Sequence, residues 1–470
     1  MQIFNTMTRK KEDFIPQEPG VYRIYVCGPT VYNYIHIGNA RPMIVFDTLR
    51  RYLEYLGNKV LYVSNITDID DKLIKKGQAD GTTMQEVARK FEAEYIKDSE
   101  GLNVKTPTVR PRATEHIGEI IKIVKDLVES GHAYVAHNGD VYFRVKSDPG
   151  YGKLSHLNLD DLESGNRELR SQMDDDLKED PADFAVWKAA KPGEPSWNSP
   201  WGQGRPGWHI ECSVMSKKYL GEEIDIHAGG EDLIFPHHEN EIAQSECCND
   251  KIFARYWMHN AFLNIDNRKM SKSLGNFRTV REISEQYDLQ VLRFFMLNAH
   301  YRSPLNFSAD LMESSKNALE RITDAAASLK DHKDNAQAAD LTEQEQALLA
   351  EASGFVKKFE EAMDDDFNTA DALAAVFELV KFANTNVTEE SSKAFAAGLL
   401  ELLVKLCDVL GIIAVKKEEI LDKEIEDLIQ ERQEARKAKN FARADEIRDE
   451  LLAKGIILKD TREGVKWKRA

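Results

Sequence analysis

The chain has 470 residues, of which 42% are hydrophobic and 30% are charged, and its formal net charge is −17. This composition is typical of a folded protein with several cores, and the length predicts about three domains. The acidity argues against a protein that binds nucleic acid over its whole surface. Five cysteines at irregular spacing argue against a disulfide framework, and the amino-terminal residues lack an apolar run. We therefore expect a cytoplasmic protein without a secretory signal, with free thiols.

The first predicted elements alternate between strand and helix. Residues 21–26 (VYRIYV) are rich in β-forming residues and predict a strand, residues 38–56 predict a helix, and residues 59–67 predict a second strand. This order is typical of an α/β fold with a doubly wound parallel sheet of Rossmann type. In such folds ligands bind at the carboxyl ends of the strands.

The same alternation resumes in the middle of the chain, after an interruption with clusters of proline and glycine. We predict three further strands of the sheet there, at 184–190, 224–228 and 256–265. Two helices are predicted between them, at about 208–220 and 236–248. The interruption therefore reads as an insertion into the nucleotide-binding fold.

The last third of the chain predicts a helical bundle, which begins after about residue 315. Residues 396–415 form its most apolar stretch, but charged side chains recur there at roughly helical spacing, so we predict an amphipathic helix and no membrane span. A strand–turn–strand is predicted at the carboxyl end, around Glu463 and Gly464. Residues 431–470 hold 12 Lys and Arg against 8 Asp and Glu, a local charge of +4. Such a tail fits an end that faces RNA, and it equally fits an ordinary solvated tail.

The segment FPHHENEIAQSECC, residues 235–248, concentrates histidine, glutamate and cysteine. If Pro236 occupies the first helical position, His237 and Glu241 lie four residues apart on one face and can share an ion. His238 then points about 100° away from that face. Two ligands do not complete a metal site, so the others must come from elsewhere in the chain. We expect the cysteines at the end of the segment to be a packed pair.

Cys27 and Cys212 are the soft donors available to complete such a site. Cys27 ends the first predicted strand, and Cys212 lies on a predicted helix one strand before the His/Glu helix. In a parallel sheet both would lie near the same edge. Two thiolates, one imidazole and one carboxylate suit zinc. The alternative is that each of these residues has a separate structural role.

Two further motifs predict a site for polyphosphate. HIGN, residues 36–39, opens the first predicted helix, whose free N–H groups and dipole favour phosphate. KMSKS, residues 269–273, places two lysines on a glycine-flanked loop after the last predicted strand, where they can grip polyphosphate. The alternative for this pentapeptide is an exposed loop. For the acidic run at 68–71, helix capping is favoured over a magnesium site.

Five segments together resemble the class I aminoacyl-tRNA synthetases, and within them the cysteinyl-tRNA synthetases: CGPTVYNYIHIGN, NITDIDDK, RPGWHIECS, FPHHENEIAQS and RKMSKSLGN. The resemblance spans residues 20–280 and continues more loosely to the carboxyl end. It implies ATP-dependent activation of L-cysteine to cysteinyl-adenylate and transfer of cysteine to tRNA(Cys). It further implies Mg-ATP as a substrate and one zinc ion per chain that binds the substrate thiol. The final histidine of the family's HIGH motif is Asn39 here, which can still donate a hydrogen bond but carries no charge.

The resemblance also implies roles for individual residues. The metal ligands would be Cys27, Cys212, His237 and Glu241. The catalytic residues would be His36, Asn39, Lys269 and Lys272. ATP would contact His36, Asn39, His227, Gly229, Gly230, Asp232 and Lys272. Cysteine would contact Gly28, Thr67 and Trp208. The anticodon would be read by Asp460, Arg462 and Trp467, although Trp467 could equally fill a small core.

The motifs and the resemblance divide the chain into six parts. These are the first half of the catalytic domain (1–114), a connective insertion (115–200), the second half of the catalytic domain (201–265), the KMSKS loop and stem-contact region (266–315), a helical bundle (316–424) and an anticodon-binding module (425–470). We expect a monomer without a membrane partner. Two alternatives are a cysteine ligase of mycothiol synthesis, which lacks a comparable carboxyl-terminal tail, and a non-catalytic zinc- or RNA-binding relative.

Overall fold

The structure is a computed structural model that divides into two compact units, Met1–Ile413 and Ala414–Ala470. It describes residues 1–157, 177–266, 268–269, 278–415, 418–437, 440–453, 456–461 and 464–469. For a small part of these the backbone alone is described, namely residues 269, 418–424, 453, 457, 459–461 and 464–469.

The elements are numbered in chain order. The strands are β1 (Gln2–Asn5), β2 (Lys10–Asp13), β3 (Val21–Val26), β4 (Lys59–Ser64), β5 (Ala133–Val135), β6 (Val141–Phe143), β7 (Phe184–Ala189), β8 (Trp197–Ser199), β9 (Gly202–Pro206), β10 (Ile224–Gly230), β11 (Ala254–Asn260), β12 (Leu263–Ile265), β13 (Arg268–Lys269), β14 (Leu305–Phe307), β15 (Ile456–Thr461) and β16 (Gly464–Arg469). The α-helices are α1 (Ile37–Tyr55), α2 (Asp71–Asp80), α3 (Met84–Gly101), α4 (Ile117–Glu129), α5 (Trp208–Leu220), α6 (Glu239–Asn249), α7 (Val280–Ser284), α8 (Leu289–Leu297), α9 (Ala309–Asn335), α10 (Glu343–Asp364), α11 (Thr369–Asn386), α12 (Lys393–Leu410), α13 (Glu418–Lys437) and α14 (Phe441–Ala453).

A parallel four-stranded sheet lies at the centre of the first unit, in the order β11–β10–β3–β4. Its middle strands are buried on both faces, as the consecutive buried residues Ile24, Tyr25 and Val26 in β3 show. Strands of parallel sheets have this continuous apolar character because helices cover both faces. The α/β fold with a parallel Rossmann-type sheet is confirmed, and its carboxyl edge carries the residues that follow β3, β10 and β11.

The insertion contains an antiparallel sheet of its own, in the order β5–β6–β7–β9–β8. The prediction that residues 184–190 form a strand is confirmed, but their assignment to the parallel sheet is wrong. β7 pairs with β6 and β9, and Val186 and Trp187 are fully buried in the insertion's core. Residue alternation predicts a strand but does not identify its partner, and here the local antiparallel pairing is formed. The sheet extends past residue 200, because β9 belongs to it.

The segment predicted as one strand at 256–265 forms two strands in different sheets. β11 ends the parallel sheet at Asn260, and β12 pairs with β13 and β14. Between them the chain leaves the first sheet, where the Ala261 N–H donates to the Tyr301 carbonyl at 2.9 Å. This break matters for the site because it places residues 260–263 at the carboxyl edge of the parallel sheet.

The predicted helical bundle is confirmed and consists of α9 to α12. Its helices begin at side-chain caps, such as the reciprocal capping of Thr342 and Glu345 at the start of α10. The apolar stretch at 396–415 forms most of α12, which ends at Gly411 in the left-handed conformation with φ 64°. Among the described residues, no helix combines the length and the apolar character that a membrane crossing requires.

The second unit contains α13, α14 and a hairpin of β15 with β16. The antiparallel pairing of β15 with β16 confirms the two predicted strands and pairs Leu458 with Trp467, whereas Glu463 of the predicted turn lies outside the described residues. The core of this unit consists of apolar side chains from both helices and the first strand, namely Ile425, Ile429, Ile447, Leu451 and Ile456.

Candidate active site and metal centre

A cavity of about 560 Å³ opens at the carboxyl edge of the parallel sheet. Its walls come from the residues that follow β3, from the start of α1, and from the ends of β10 and β11. Several sequence-predicted residues line it, namely Cys27, Gly28, His36, Asn39, Trp208, Gly230 and Asp232. The fold therefore brings the predicted metal, cysteine and nucleotide motifs to one cavity.

The HIGN motif begins α1 through a reciprocal cap. His36 Nδ1 accepts from the Asn39 N–H at 3.2 Å, and Asn39 Oδ1 accepts from the His36 N–H at 3.3 Å. Asparagine therefore takes part in forming the helix start at the position where the family has histidine. The residues that follow KMSKS lie beside this helix start. The Ile37 N–H donates to the Arg278 carbonyl at 3.0 Å, and the Val280 N–H donates to the Ile35 carbonyl at 2.9 Å.

The four side chains predicted to bind a metal are buried or half-buried, and they converge near the carboxyl edge of the parallel sheet. Cys27 Sγ lies 3.8 Å from Cys212 Sγ and 3.5 Å from Glu241 Oε1, and His237 Nε2 lies 2.9 Å from Glu241 Oε1. All four donor atoms lie within 4.8 Å of one another. A tetrahedral ion with bonds of about 2.0–2.3 Å places its donors about 3.3–3.8 Å apart. The donor set therefore fits a zinc-sized ion.

The helix that supplies two of these donors starts later than predicted. α6 begins at Glu239, and the segment Ile234–His238 before it is kinked, with an extended backbone at Phe235 (φ −138°, ψ 133°), so Pro236 lies ahead of the first residue of the α-helix. His237 and Glu241 still meet, as the 2.9 Å contact between their side chains shows. Cys247 and Cys248, expected to be a packed pair, both pack against the core of the insertion.

A second donor set shares Cys27 and Glu241 with the first. His238 Nε2 lies 3.4 Å and His227 Nε2 3.5 Å from Cys27 Sγ, and His227 Nε2 lies 3.1 Å from Glu241 Oε2. His238, predicted to point about 100° away from the face shared by His237 and Glu241, is absent from the first set and belongs to this second one. His238 is held from behind, with His259 Nε2 2.8 Å from its Nδ1.

His227 has a different place from the one expected. The resemblance places it beside the nucleotide. Its side chain is instead fully buried behind the four predicted metal ligands and does not line the cavity. The ring stacks on Tyr25 with centroids 5.2 Å apart. Gly229, its near neighbour, lies against His238, because a Cβ there would come within 3.1 Å of the His238 ring. These two residues therefore back the cluster, whereas Gly230 and Asp232 face the cavity.

The electrostatics of the cluster favour a cation. Burial raises the pKa of Glu241, but the His227 and His237 rings outweigh it and bring the pKa to about 2. A hydrogen bond from the Cys27 thiol lowers the pKa of Cys212 to about 6. Burial lowers the pKa of His237, but Glu241 and Cys212 raise it to about 10. The cluster thus holds anionic donors around a position where positive charge is stabilised.

The residues expected to contact cysteine differ in accessibility. Gly28 N–H donates to Asn65 Oδ1 at 2.8 Å, and a Cβ on Gly28 would lie 1.7 Å from the Asn65 carbonyl oxygen, so a larger residue does not fit. Trp208 is 41% exposed, and its ring lies 4.3 Å from that of His237. Thr67 is buried and donates to Glu211 Oε2 at 2.9 Å. It supports the cavity from behind and is not among the residues that line it.

The remaining predicted residues fall at or beyond the limits of the described residues. For Lys269 the backbone is described, paired with Asn264 in β12. Asp460 and Trp467 are likewise described in backbone only, in β15 and β16. Lys272 and Arg462 lie outside the described residues. For the acidic run, Asp70 caps α2 by accepting from Lys72 N–H at 2.8 Å, which agrees with the capping interpretation.

Three family models match consecutive parts of the chain. The model of the tRNA synthetases class I (C) catalytic domain matches residues 13–317, and the DALR domain matches residues 358–414. The cysteinyl-tRNA ligase anticodon binding domain matches residues 419–467. The first model alone covers more than half of the chain.

Two solved structures have the same fold at low identity. Methionyl-tRNA synthetase of Mycobacterium tuberculosis, in complex with methionyl-adenylate, aligns with a TM-score of 0.58 and 16% identity over 83% of this chain and 89% of that chain. LeuRS of Agrobacterium radiobacter K84, in a ternary complex with tRNA and LeuAMS, aligns with a TM-score of 0.62 and 12% identity over 86% and 85%. These similarities show the fold of an aminoacyl-tRNA synthetase.

Full-length relatives are much more similar in sequence. Proteins named cysteine–tRNA ligase from Lachnospira eligens, Lachnoclostridium phytofermentans and Clostridioides difficile are 61%, 60% and 56% identical, each over 100% of this chain and 100% of the relative. They confirm the family that the motifs indicate. The chain belongs to the cysteine–tRNA ligases, a family of class I aminoacyl-tRNA synthetases that use ATP.

Proposed function

We propose that this chain joins L-cysteine to tRNA(Cys) in two steps, through cysteinyl-adenylate. The observation that carries the proposal is that Cys27, one member of the Cys27–Cys212–His237–Glu241 cluster, lines the same cavity as the HIGN helix. The match of residues 419–467 to an anticodon-binding model supports tRNA as the acceptor, over the amino sugar used by a mycothiol ligase. Cysteine-dependent ATP–pyrophosphate exchange, followed by charging of tRNA(Cys), tests it; exchange without charging would contradict it.

In the first step the cysteine carboxylate attacks the α-phosphorus of Mg-ATP, and the bond to pyrophosphate breaks. We assign the chain's part to alignment and charge stabilisation, because neither step needs a protein nucleophile. The start of α1 lines the cavity with its positive dipole end, and His36 and Asn39 fix its geometry. Lys269 and Lys272 stabilise the negative charge on the phosphates. In the second step the 3′-terminal adenosine hydroxyl of the tRNA attacks the acyl carbon, and AMP leaves.

Selectivity for cysteine over serine needs more than the shape of the pocket. The two amino acids differ by one atom, and a pocket that fits one rejects the other weakly. We assign a zinc ion, one per chain, to Cys27, Cys212, His237 and Glu241. When bound, zinc supplies a soft Lewis acid that favours a thiolate over a hydroxyl ligand. Trp208 lines the cavity beside His237, which favours this donor set over the deeper set that contains His227 and His238.

Comparison of His237→Gln with His238→Gln distinguishes the two donor sets. We expect His237→Gln to lose most of its zinc, because it removes a direct ligand, and His238→Gln to keep about one equivalent per chain. Metal analysis of both purified proteins measures this. The two side chains are adjacent and equally inaccessible, at 2% and 0% exposure, so each variant controls for the other. The reverse pattern would place the ion in the deeper set.

Removal of residues 414–470 tests whether anticodon recognition is separate from activation. The first unit, Met1–Ile413, is compact without them. We expect ATP–pyrophosphate exchange to stay within about threefold and aminoacylation to fall by about a hundredfold or more, because contacts to unpaired anticodon bases are lost. The assignment of 425–470 as the RNA-reading module, with Asp460, Arg462 and Trp467 in contact with the bases, fails if both activities fall equally.

We propose a monomer as the active form, in the cytoplasm. All four proposed ligands of the ion come from a single chain, so the site is complete without a partner. Light scattering of the purified protein measures the molecular mass, and a dimer at working concentrations would contradict the proposal.

A further inference from the structure

Arg41, two residues after the HIGN motif, is a fully buried guanidinium group. Its Nη1 donates to the carbonyl oxygens of Ala261 at 2.7 Å and Phe262 at 2.9 Å. Its Nη2 donates to the carbonyls of His300 at 3.3 Å and Ser303 at 2.6 Å. Every acceptor is a neutral carbonyl, and among the described residues no carboxylate lies within ion-pair distance of this side chain. Backbone carbonyls thus accept all of these hydrogen bonds, and the Glu231 carboxylate acts on the charge only from beyond ion-pair distance.

A second buried arginine shows the more usual arrangement. Arg293 is equally inaccessible and also donates to carbonyls, but its Nη2 lies 2.6 Å from Asp47 Oδ2. Buried charges in proteins are normally paired in this way, because removing a charge from water is costly. Burial lowers the pKa of Arg41 to about 10, which leaves it protonated at neutral pH. Arg41 is thus a buried cation that, among the described residues, has no carboxylate partner at ion-pair distance.

The charge of Arg41 lies behind the part of the cavity wall that Ala261 and Phe262 form. Its acceptors Ala261 and Phe262 line the cavity, as do Asn39 and Pro42 on either side of Arg41 in the chain. Two hydrogen bonds fix the backbone of Phe262. Its N–H donates to Glu231 Oε1 at 2.7 Å, and its carbonyl accepts from Arg41. A fixed positive charge near a partly enclosed cavity attracts anions there more strongly than it would in water.

We propose that Arg41 is a positioning residue for the nucleotide. It holds the wall at Ala261 and Phe262 against the start of α1, and the polyphosphate of ATP compensates its unpaired charge. The inference rests on the proposed function, since ATP is the anion that enters this cavity. Arg41 does not touch the nucleotide; it acts through the wall and through its field.

Steady-state exchange kinetics of Arg41→Gln, Arg41→Lys and Arg293→Gln test this role. We expect Arg41→Gln to raise the KM for ATP about tenfold and Arg41→Lys, which keeps the charge, about threefold. The KM for cysteine and the zinc content stay within about twofold in both. Arg293→Gln, the matched control, lowers the thermal midpoint and leaves the KM for ATP within about twofold. An unchanged KM for ATP in Arg41→Gln, or an equal rise in Arg293→Gln, overturns the proposal.

Glu231→Gln provides an independent measurement if Arg41→Gln does not fold. Glutamine keeps an acceptor for the Phe262 N–H but removes the negative charge that acts on Arg41, so we expect the KM for ATP to fall about two- to fivefold. An unchanged or raised KM overturns the electrostatic role. Wild-type protein without cysteine-dependent exchange would refute the proposed function itself, whereas active wild type with unaltered variants refutes only the role of Arg41.

Discussion

Cys212→Ser is expected to lose the bound zinc and to lower cysteine-dependent ATP–pyrophosphate exchange by roughly a thousandfold. Cys212 is one of four proposed ligands, and its hydroxyl replacement is a harder and far less acidic donor. The cluster would then lack the thiolate whose pKa is lowered to about 6 in the native protein. Metal analysis and exchange rates measure the two effects together.

The matched control for this change is Cys248→Ser, on the helix that supplies Glu241. Cys248 packs against the core of the insertion and belongs to neither donor set. We expect it to keep its metal and to exchange at close to the wild-type rate. Cobalt-substituted protein adds a direct readout, since its spectrum should change with cysteine and not with serine. Full activity of Cys212→Ser without metal would end the proposal of a metal-based selection of cysteine.

Lys272→Ala is expected to slow exchange by roughly a hundred- to a thousandfold, with zinc content unchanged. The lysine lies outside the described residues, but both described flanks of its segment are near the cavity wall. Lys269 pairs with Asn264 in β12, which follows the wall residues, and the Arg278 carbonyl accepts from Ile37 in HIGN. A lysine between them can neutralise charge that develops on the phosphates.

The control for Lys272→Ala is Lys191→Ala, a lysine exposed on the insertion. It removes the same charge from the chain, far along the sequence from either nucleotide motif. We expect wild-type exchange from it. A Lys272→Ala protein that exchanges at the wild-type rate would refute the proposed role of this lysine.

The four predicted metal ligands could be found in the sequence because two simple rules apply to them. A spacing of four residues brings His237 and Glu241 together, and a parallel sheet collects residues such as Cys27 at one edge. The deeper pair, His227 and His238, could not be found in this way. His227 lies on β10, so its approach to His238 and Glu241 depends on tertiary packing, which residue spacing does not predict.

The sequence alone also does not predict which sheet β7 joins, nor which residues support the predicted cysteine-binding residues from behind. β7 has the residue pattern of a strand, but its antiparallel partners in the insertion are set by tertiary packing. Glu211 and Asn65 contact the cysteine-predicted residues Thr67 and Gly28, yet neither stands out by type or spacing. Arg41 offered one weak signal, a charged residue in an otherwise apolar stretch of the HIGN helix.

The hairpin of β1 and β2 contacts the segment between α10 and α11, far along the chain. Phe4 N–H donates to Asp366 Oδ1 at 2.8 Å across 362 residues, and Lys11 Nζ lies 2.6 Å from Asp365 Oδ1. Asn5 meanwhile accepts from Trp257 N–H in β11, at the edge of the parallel sheet. Because ribosomes synthesise a chain from its amino end, the contacts of this hairpin with Asp365 and Asp366 form only after those two residues have been translated.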